Sequence, residues 1–187
     1  MKEEIVFAGF GGQGIMLMGK ILSYAAMNEG KNVTWMPSYG AEVRGGTAHS
    51  MVVISDSPIA SPVVKEPDIC IVMNKPSLKK FEPKIRIGGT LIINKSLAEI
   101  ETKRSDIDIL EIPATDMGLK LGNPRVSNMI MLGALLARKD LLPIASLIHS
   151  LKDVIPCHHH NMIAINEKAI MEGYEYGSRQ ICTKSNR

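Results

Sequence analysis

The sequence predicts an α/β fold: a single domain with a predominantly parallel sheet and helices on both faces. Two observations carry the expectation. Short apolar, β-branched runs recur at 5–8, 33–36, 51–54, 69–73, 91–93 and 107–112, and several are separated by segments whose apolar residues return at helical spacing. The chain has 187 residues, about one domain, and with 45% apolar and 22% charged residues it has the composition of a folded globular protein.

Taken in order, the run at 5–8 is the first strand. A helix follows from Gln13 to about Glu29, with Ile15, Met18, Leu22, Ala25 and Ala26 on one stripe and Gly30 placed to end it in the left-handed region. The runs from 33 to 112 supply the remaining strands. Asn123-Pro124 reads as a cap followed by proline at the first helical position, opening a helix to about Arg138. That helix is apolar nearly all round and must be buried. Gly133 and Ala134 would let another backbone come close, from this chain or from a second one. Helices are also expected over 143–152 and 161–176, with a polar tail fraying from about 178. No repeat, low-complexity tract or linker divides residues 1–187.

Composition narrows the function classes. Lys and Arg total 22 against 19 Asp and Glu, a net charge of +3 without a basic stripe, and one Trp, four Tyr and three Phe leave little to stack on bases. Nucleic acid is not implied. The apolar stretch 129–137 is too short to cross a bilayer, and MKEEIVFAGF carries acid where a leader peptide carries base. A cytoplasmic protein without membrane contact is expected. Cys70, Cys157 and Cys182 are far apart and form no CxxC, so neither a disulfide framework nor an iron–sulfur motif is readable, and Cys70 reads as a small buried hydrophobe.

GFGGQG follows the first strand, and Gly9, Gly11 and Gly14 satisfy GxGxxG between strand and helix, which makes the first half of the chain Rossmann-like. Such a turn can cradle a phosphate on helix-start amides, or it can be simple close packing. Two ligands fit poorly. A dinucleotide site wants an acid after the second strand, where this chain reads Met36-Pro37-Ser38, and a P-loop wants a hydroxyl after Lys20, where it has Ile21. Lys20, about 10 Å along the helix axis, either leans back toward a phosphate or is a solvated surface lysine. A second glycine segment, Tyr39-Gly40-Ala41-Glu42-Val43-Arg44-Gly45-Gly46, follows the second strand. Glu42 and Arg44 share a side in extended chain and either pair locally or meet a partner or ligand.

GFGGQG, YGAEVRGG, PDICIVMNKPSL and LGNPRVSNMIMLGALL together resemble the γ subunit of 2-oxoacid:ferredoxin oxidoreductases, over nearly the whole chain and most closely the 2-oxoglutarate type. The resemblance implies a subunit of a cytoplasmic assembly that oxidatively decarboxylates a 2-oxoacid with coenzyme A (CoA) to acyl-CoA and CO2, with ferredoxin as electron acceptor. Thiamine diphosphate and iron–sulfur clusters would lie in the α, β and ferredoxin-like δ subunits, with no catalytic residue and no metal held by this chain. By position, Gly9, Gly11, Gly12, Gln13 and Gly14 would line a CoA-binding turn and Lys20 would approach a CoA phosphate. Gln13 departs from the fused pyruvate enzymes, which often carry an acid there. Tyr39, Gly40, Glu42, Arg44, Gly45 and Gly46 would form a loop at the interface or active-site edge. The rival readings are a free-standing NAD(P)-binding oxidoreductase and a structural subunit without ligand.

Cys157-His158-His159-His160 invites a metal, but consecutive residues diverge around a helix and the run lacks a fourth ligand at standard spacing, so a helix-entry or surface role is expected.

Overall fold

The computed structural model describes residues 1–38, 47–97, 102 and 104–184. Its strands are β1 (Lys2–Gly9), β2 (Asn32–Ser38), β3 (Ala48–Ser55), β4 (Ile69–Val72), β5 (Thr90–Asn94) and β6 (Asp108–Ile112). Its helices are α1 (Ile15–Asn28), α2 (Lys75–Phe81), α3 (Ala114–Lys120), α4 (Ser127–Arg138), α5 (Ile144–Val154) and α6 (Ile163–Lys184), with 3₁₀ turns at Glu82–Lys84, Pro124–Val126 and Cys157–Met162.

The strands form one sheet in the order β2-β3-β1-β4-β5-β6. β1, β4, β5 and β6 are parallel neighbours, whereas β3 runs antiparallel between β1 and β2. The mostly parallel α/β sheet is as expected, but the first half departs from the Rossmann pattern. After α1 the chain enters β2 two places from β1, and β3 returns into the gap. Burial explains the order. Val52, Val53 and Ile54 of β3 are fully buried, a continuous apolar run suited to a strand covered on both faces, while no residue of β2 is buried. Asn32, Thr34, Pro37 and Ser38 belong on a margin, where a strand tolerates a residue lacking an N–H.

Helices cover both faces unequally. Ile5, Phe7, Val52, Ile54, Ile69, Ile71 and Ile92 face α1, α3, α4, α5 and α6, while Val6, Ala8, Val53, Cys70, Val72, Leu91 and Ile93 share the other core with Leu78 and Phe81 of α2 and with Val64, Ile85 and Ile107. Alternation along each strand thus sorts one sequence into two cores. Cys70 is buried in the smaller of them, and desolvation pushes its thiol far above its ordinary value, as expected of an inert core cysteine.

Asn123 caps as expected, its side chain accepting from the Arg125 N–H at 3.0 Å, but the first turn is 3₁₀ and α4 proper begins at Ser127. Every residue of α4 from Ser127 to Leu136 is buried. The close partner of Gly133 lies within the chain: a Cβ there would collide with the Ile170 carbonyl of α6, and one at Gly173 with the Ile130 carbonyl of α4. Residues 185–187 of the tail expected to fray lie outside the described residues. α6 stays helical to Lys184, held where Gly177 packs on Ala134 and Ala137 and where Arg179 pairs with Glu175 at 3.0 Å.

Candidate functional site

β1 is buried from Ile5 to Gly9 and ends against the start of α1, so the intervening residues must turn sharply at the carboxyl end of the parallel strands. That is where open α/β sheets place ligands. Gly14 forms the N-cap of α1 at φ 72°, and Gly12 has φ 88°, backbone conformations in which a side chain is strained. A Cβ at Gly14 would also collide with Nδ2 of Asn128, which reaches up from α4 beneath the turn. Gly12 differs, with no atom of the described residues within 4 Å of where its Cβ would stand. The turn is therefore packed on its inner side and open on its outer side, where Gly11 and Gly12 are exposed.

Gln13 fills the inner side. Its Oε1 accepts from the Phe10 N–H at 2.7 Å and from Nδ2 of Asn74 at 3.0 Å, and its Nε2 donates to the Met73 carbonyl at 3.4 Å. Gly9 leaves room for this, since a Cβ there would stand 2.7 Å from the same Oε1. Asn74 is at once the N-cap of α2, its Oδ1 accepting from the Ser77 N–H at 2.9 Å. The side chain expected to line a ligand thus ties the β1–α1 turn to the β4–α2 turn.

On the outer side, Phe10, Gly11, Gly12, Gly14, Ile15, Met16, Leu17 and Ala48 line a cavity of about 300 Å³. Among the described residues the amides of Gly11, Gly12 and Gly14 meet no acceptor. Together with the positive end of the α1 dipole they offer donors to an anion beside an apolar wall. The space admits a phosphate-sized group and a short apolar segment rather than a whole nucleotide. Phe10, 43% exposed, stands at its rim.

Lys20 does not join this cavity. Its ammonium lies 5.8 Å from the centroid of the Tyr24 ring, one turn further along α1, so the structure favours the surface reading of that lysine. Tyr39, Gly40, Glu42, Arg44, Gly45 and Gly46 lie outside the described residues. The ends of their segment are placed, however: Ser38 pairs with His49 and Gly9 with Ala48, so both anchors stand at the same end of the sheet as the glycine turn. Asn74, Asn128 and Ala48 escaped the sequence reading. Only the cap pattern Asn74-Lys75-Pro76-Ser77 hinted at the first of them.

Other candidates are weaker. A depression of about 920 Å³ at the amino end of β4 and β5 is lined by Lys65, Lys84, Arg86 and Arg104 among others. Its guanidinium groups are engaged, Arg86 with Asp68 at 2.6 Å and Arg104 with Asp106 and the Glu82 and Ile85 carbonyls. His158, His159 and His160 sit exposed on a 3₁₀ turn, and no group of three metal-ligating side chains occurs among the described residues.

Comparison with known proteins adds independent findings. A family model described as pyruvate ferredoxin/flavodoxin oxidoreductase matches residues 4–176. The 2-oxoglutarate synthase subunit KorC of Methanocaldococcus jannaschii is 35% identical over 182 residues, covering 94% of each chain. The ketoisovalerate oxidoreductase subunit VorA of Methanothermobacter marburgensis is 38% identical over 134 residues, 72% of this chain, and the match spans only 28% of that longer relative. In structure, the γ subunit of a keto/oxoacid ferredoxin oxidoreductase from Geobacter sulfurreducens superposes with a TM-score of 0.82 at 26% identity, covering 94% of this chain and 98% of that one.

Proposed function

The chain belongs to the pyruvate ferredoxin/flavodoxin oxidoreductase family, and from that premise we propose that it is the γ-type subunit of a 2-oxoacid:ferredoxin oxidoreductase in the cytoplasm, with 2-oxoglutarate as the substrate. The observation that carries the reading is the match along 94% of both chains to a separate 2-oxoglutarate synthase subunit. VorA, named for ketoisovalerate, aligns through a smaller part of a longer chain, which supports the choice of 2-oxoglutarate more weakly than the choice of family.

In this reading the α and β subunits hold thiamine diphosphate and a ferredoxin-like δ subunit holds iron–sulfur clusters. The assembly cleaves the bond between the carboxylate and the carbonyl carbon of the 2-oxoacid, releases CO2, passes two electrons to ferredoxin and joins the acyl group to the thiol of CoA. Thiamine diphosphate supplies the carbanion chemistry when bound to its own subunit. This chain contributes assembly and a contact to CoA. The amides of Gly11, Gly12 and Gly14, without an acceptor among the described residues, receive an anionic group, and the walls of Ile15, Met16 and Leu17 receive an adjoining apolar part.

One experiment separates this from its rivals. Gly11 is exposed and does not have positive φ, so Gly11→Asp adds a negative charge to the outer face of the turn without requiring a left-handed backbone. In the purified complex this variant raises KM for CoA several-fold and leaves KM for the 2-oxoacid unchanged. An unchanged KM for CoA supports the ligand-free structural reading, which the internal packing at Gly9 and Gly14 also favours. A comparison of 2-oxoglutarate, pyruvate and ketoisovalerate as substrates tests the remaining choice. An NAD(P) site is disfavoured further by topology, because β3, antiparallel, stands beside β1 where a dinucleotide fold places its second parallel strand.

A further inference from the structure

Cations that look scattered along the sequence are gathered by the fold. Residues 75–86 hold Lys75, Lys79, Lys80, Lys84 and Arg86 against a single acid, Glu82, so this segment carries a net +4 where the whole chain carries +3. α2 turns Leu78 and Phe81 into the smaller core, which sends its lysines outward, and all four lysines of the segment are exposed. Arg86 pairs with Asp68 at 2.6 Å, but the four ammoniums make no ion pair among the described residues. Lys80 and Lys84 stand instead 5.3 and 5.5 Å from the centroid of the Phe81 ring.

This row runs on into the depression of about 920 Å³ at the amino end of β4 and β5, because Lys84 also lines it. Ile87, another of the lining residues, is 83% exposed, and Val63, next to the lining residue Val64, is 48% exposed. Unpaired lysines and bare apolar side chains thus share one concave surface. A phosphate-bearing ligand suits it poorly, since the ammoniums are strung along a helix of seven residues, about 10 Å, rather than converging, and Phe81 is buried and cannot stack on a base. A lipid surface would leave the concavity unfilled. A folded protein fills it, covers Ile87 and sets carboxylates along the row. The family contains such a neighbour: in VorA the part that matches this chain is 28% of a longer chain.

We propose that this face docks another subunit of the assembly, through a surface on which Asp and Glu side chains surround an apolar projection that enters the depression. The proposal rests on the reading of the chain as one subunit of a multi-chain oxidoreductase. Complementary charge fixes the orientation of the docked pair, and burial of Ile87 adds a non-directional attraction.

The test uses the complex purified from its native cell and treated with a carbodiimide, which joins a lysine to a carboxylate in direct contact. Links are expected from Lys75, Lys79, Lys80 or Lys84 to Asp or Glu of a second chain. In parallel, the full chain carrying both Lys75→Glu and Lys79→Glu is assembled with the remaining subunits. Both side chains are exposed, so the urea midpoint should not fall, whereas affinity for the other subunits should drop about tenfold at low salt, a deficit that shrinks as salt is raised. Equal affinity of the charge-reversed and wild-type chains overturns the proposal, as do links confined to carboxylates of this same chain, Glu99 and Glu101 included. RNA or phosphatidylserine vesicles that bind the wild-type but not the charge-reversed chain, without a link to a second chain, also overturn it. A chain that co-purifies with no other subunit overturns the subunit reading and this assignment with it, while one that co-purifies with these lysines unlinked overturns this assignment alone.

Discussion

Gly133 and Gly173 face each other across α4 and α6, each pressed on the carbonyl of the isoleucine three residues before the other. The contact is backbone against backbone, so neither helix can yield by turning a side chain. It joins the most deeply buried helix to the one that closes the chain.

Gly133→Ala is therefore expected to destabilise the protein by about 3 kcal/mol, the upper end of the overpacking range, although alanine is the better helix former. Urea unfolding measures it. A midpoint equal to or above that of the wild type would show that the helices can part without cost.

The two left-handed glycines should respond differently. Gly12→Ala pays only for its backbone conformation, about 1–2 kcal/mol, because its outer side is open. Gly14→Ala pays that and also displaces Asn128. In an Asn128→Ala background the cost of Gly14→Ala should fall toward that of Gly12→Ala, a coupling that a double-mutant cycle in urea detects.

Burial raises the Glu3 carboxyl above its ordinary 4.5, Asp68 adds to the rise, and Lys139 and Arg86 oppose it. Its Oε2 is buried and has no hydrogen-bond partner among the described residues. The folded state thus binds the Glu3 proton more tightly than the unfolded state does. Ionised Glu3 weakens the fold at pH values above its folded pKa, and the penalty fades as pH falls through that value and is gone below 4.5. Glu3→Gln is expected to raise the urea midpoint near neutral pH, with the gain vanishing by about pH 4. A gain independent of pH would assign it to packing instead.

Lys20→Ala is expected to leave KM for CoA in the complex within about twofold of wild type, since the ammonium rests on Tyr24 rather than at the turn. A tenfold increase would show that the side chain swings back when the ligand arrives.

The sequence made the strands and α1 legible because the strands carry apolar runs and α1 has a clear stripe ending at Gly30, which indeed has φ 74°, whereas the short helices α2 and α3 were not drawn. Strand order was not legible. Whether β2 or β3 lies beside β1 depends on the competition for the buried place, which is decided by the polar residues of β2 and not by any local pattern. The site was half legible. The glycine motif marked the turn, but its period says nothing about which glycines face inward, and the partners that decide it, Asn74 and Asn128, are distant in sequence. Lys20 stayed open in the sequence because helical spacing sets how far a side chain can reach and not which neighbour it meets, here the Tyr24 ring. Tyr39, Glu42 and Arg44 lie outside the described residues.

Pro37 near the end of the marginal strand β2 has a further consequence. A sheet grows by stitching a foreign strand to its rim, and each stitch needs an amide hydrogen that proline does not possess. Pro37 offers no such hydrogen to a strand added on this side, which disfavours fibre-like stacking there.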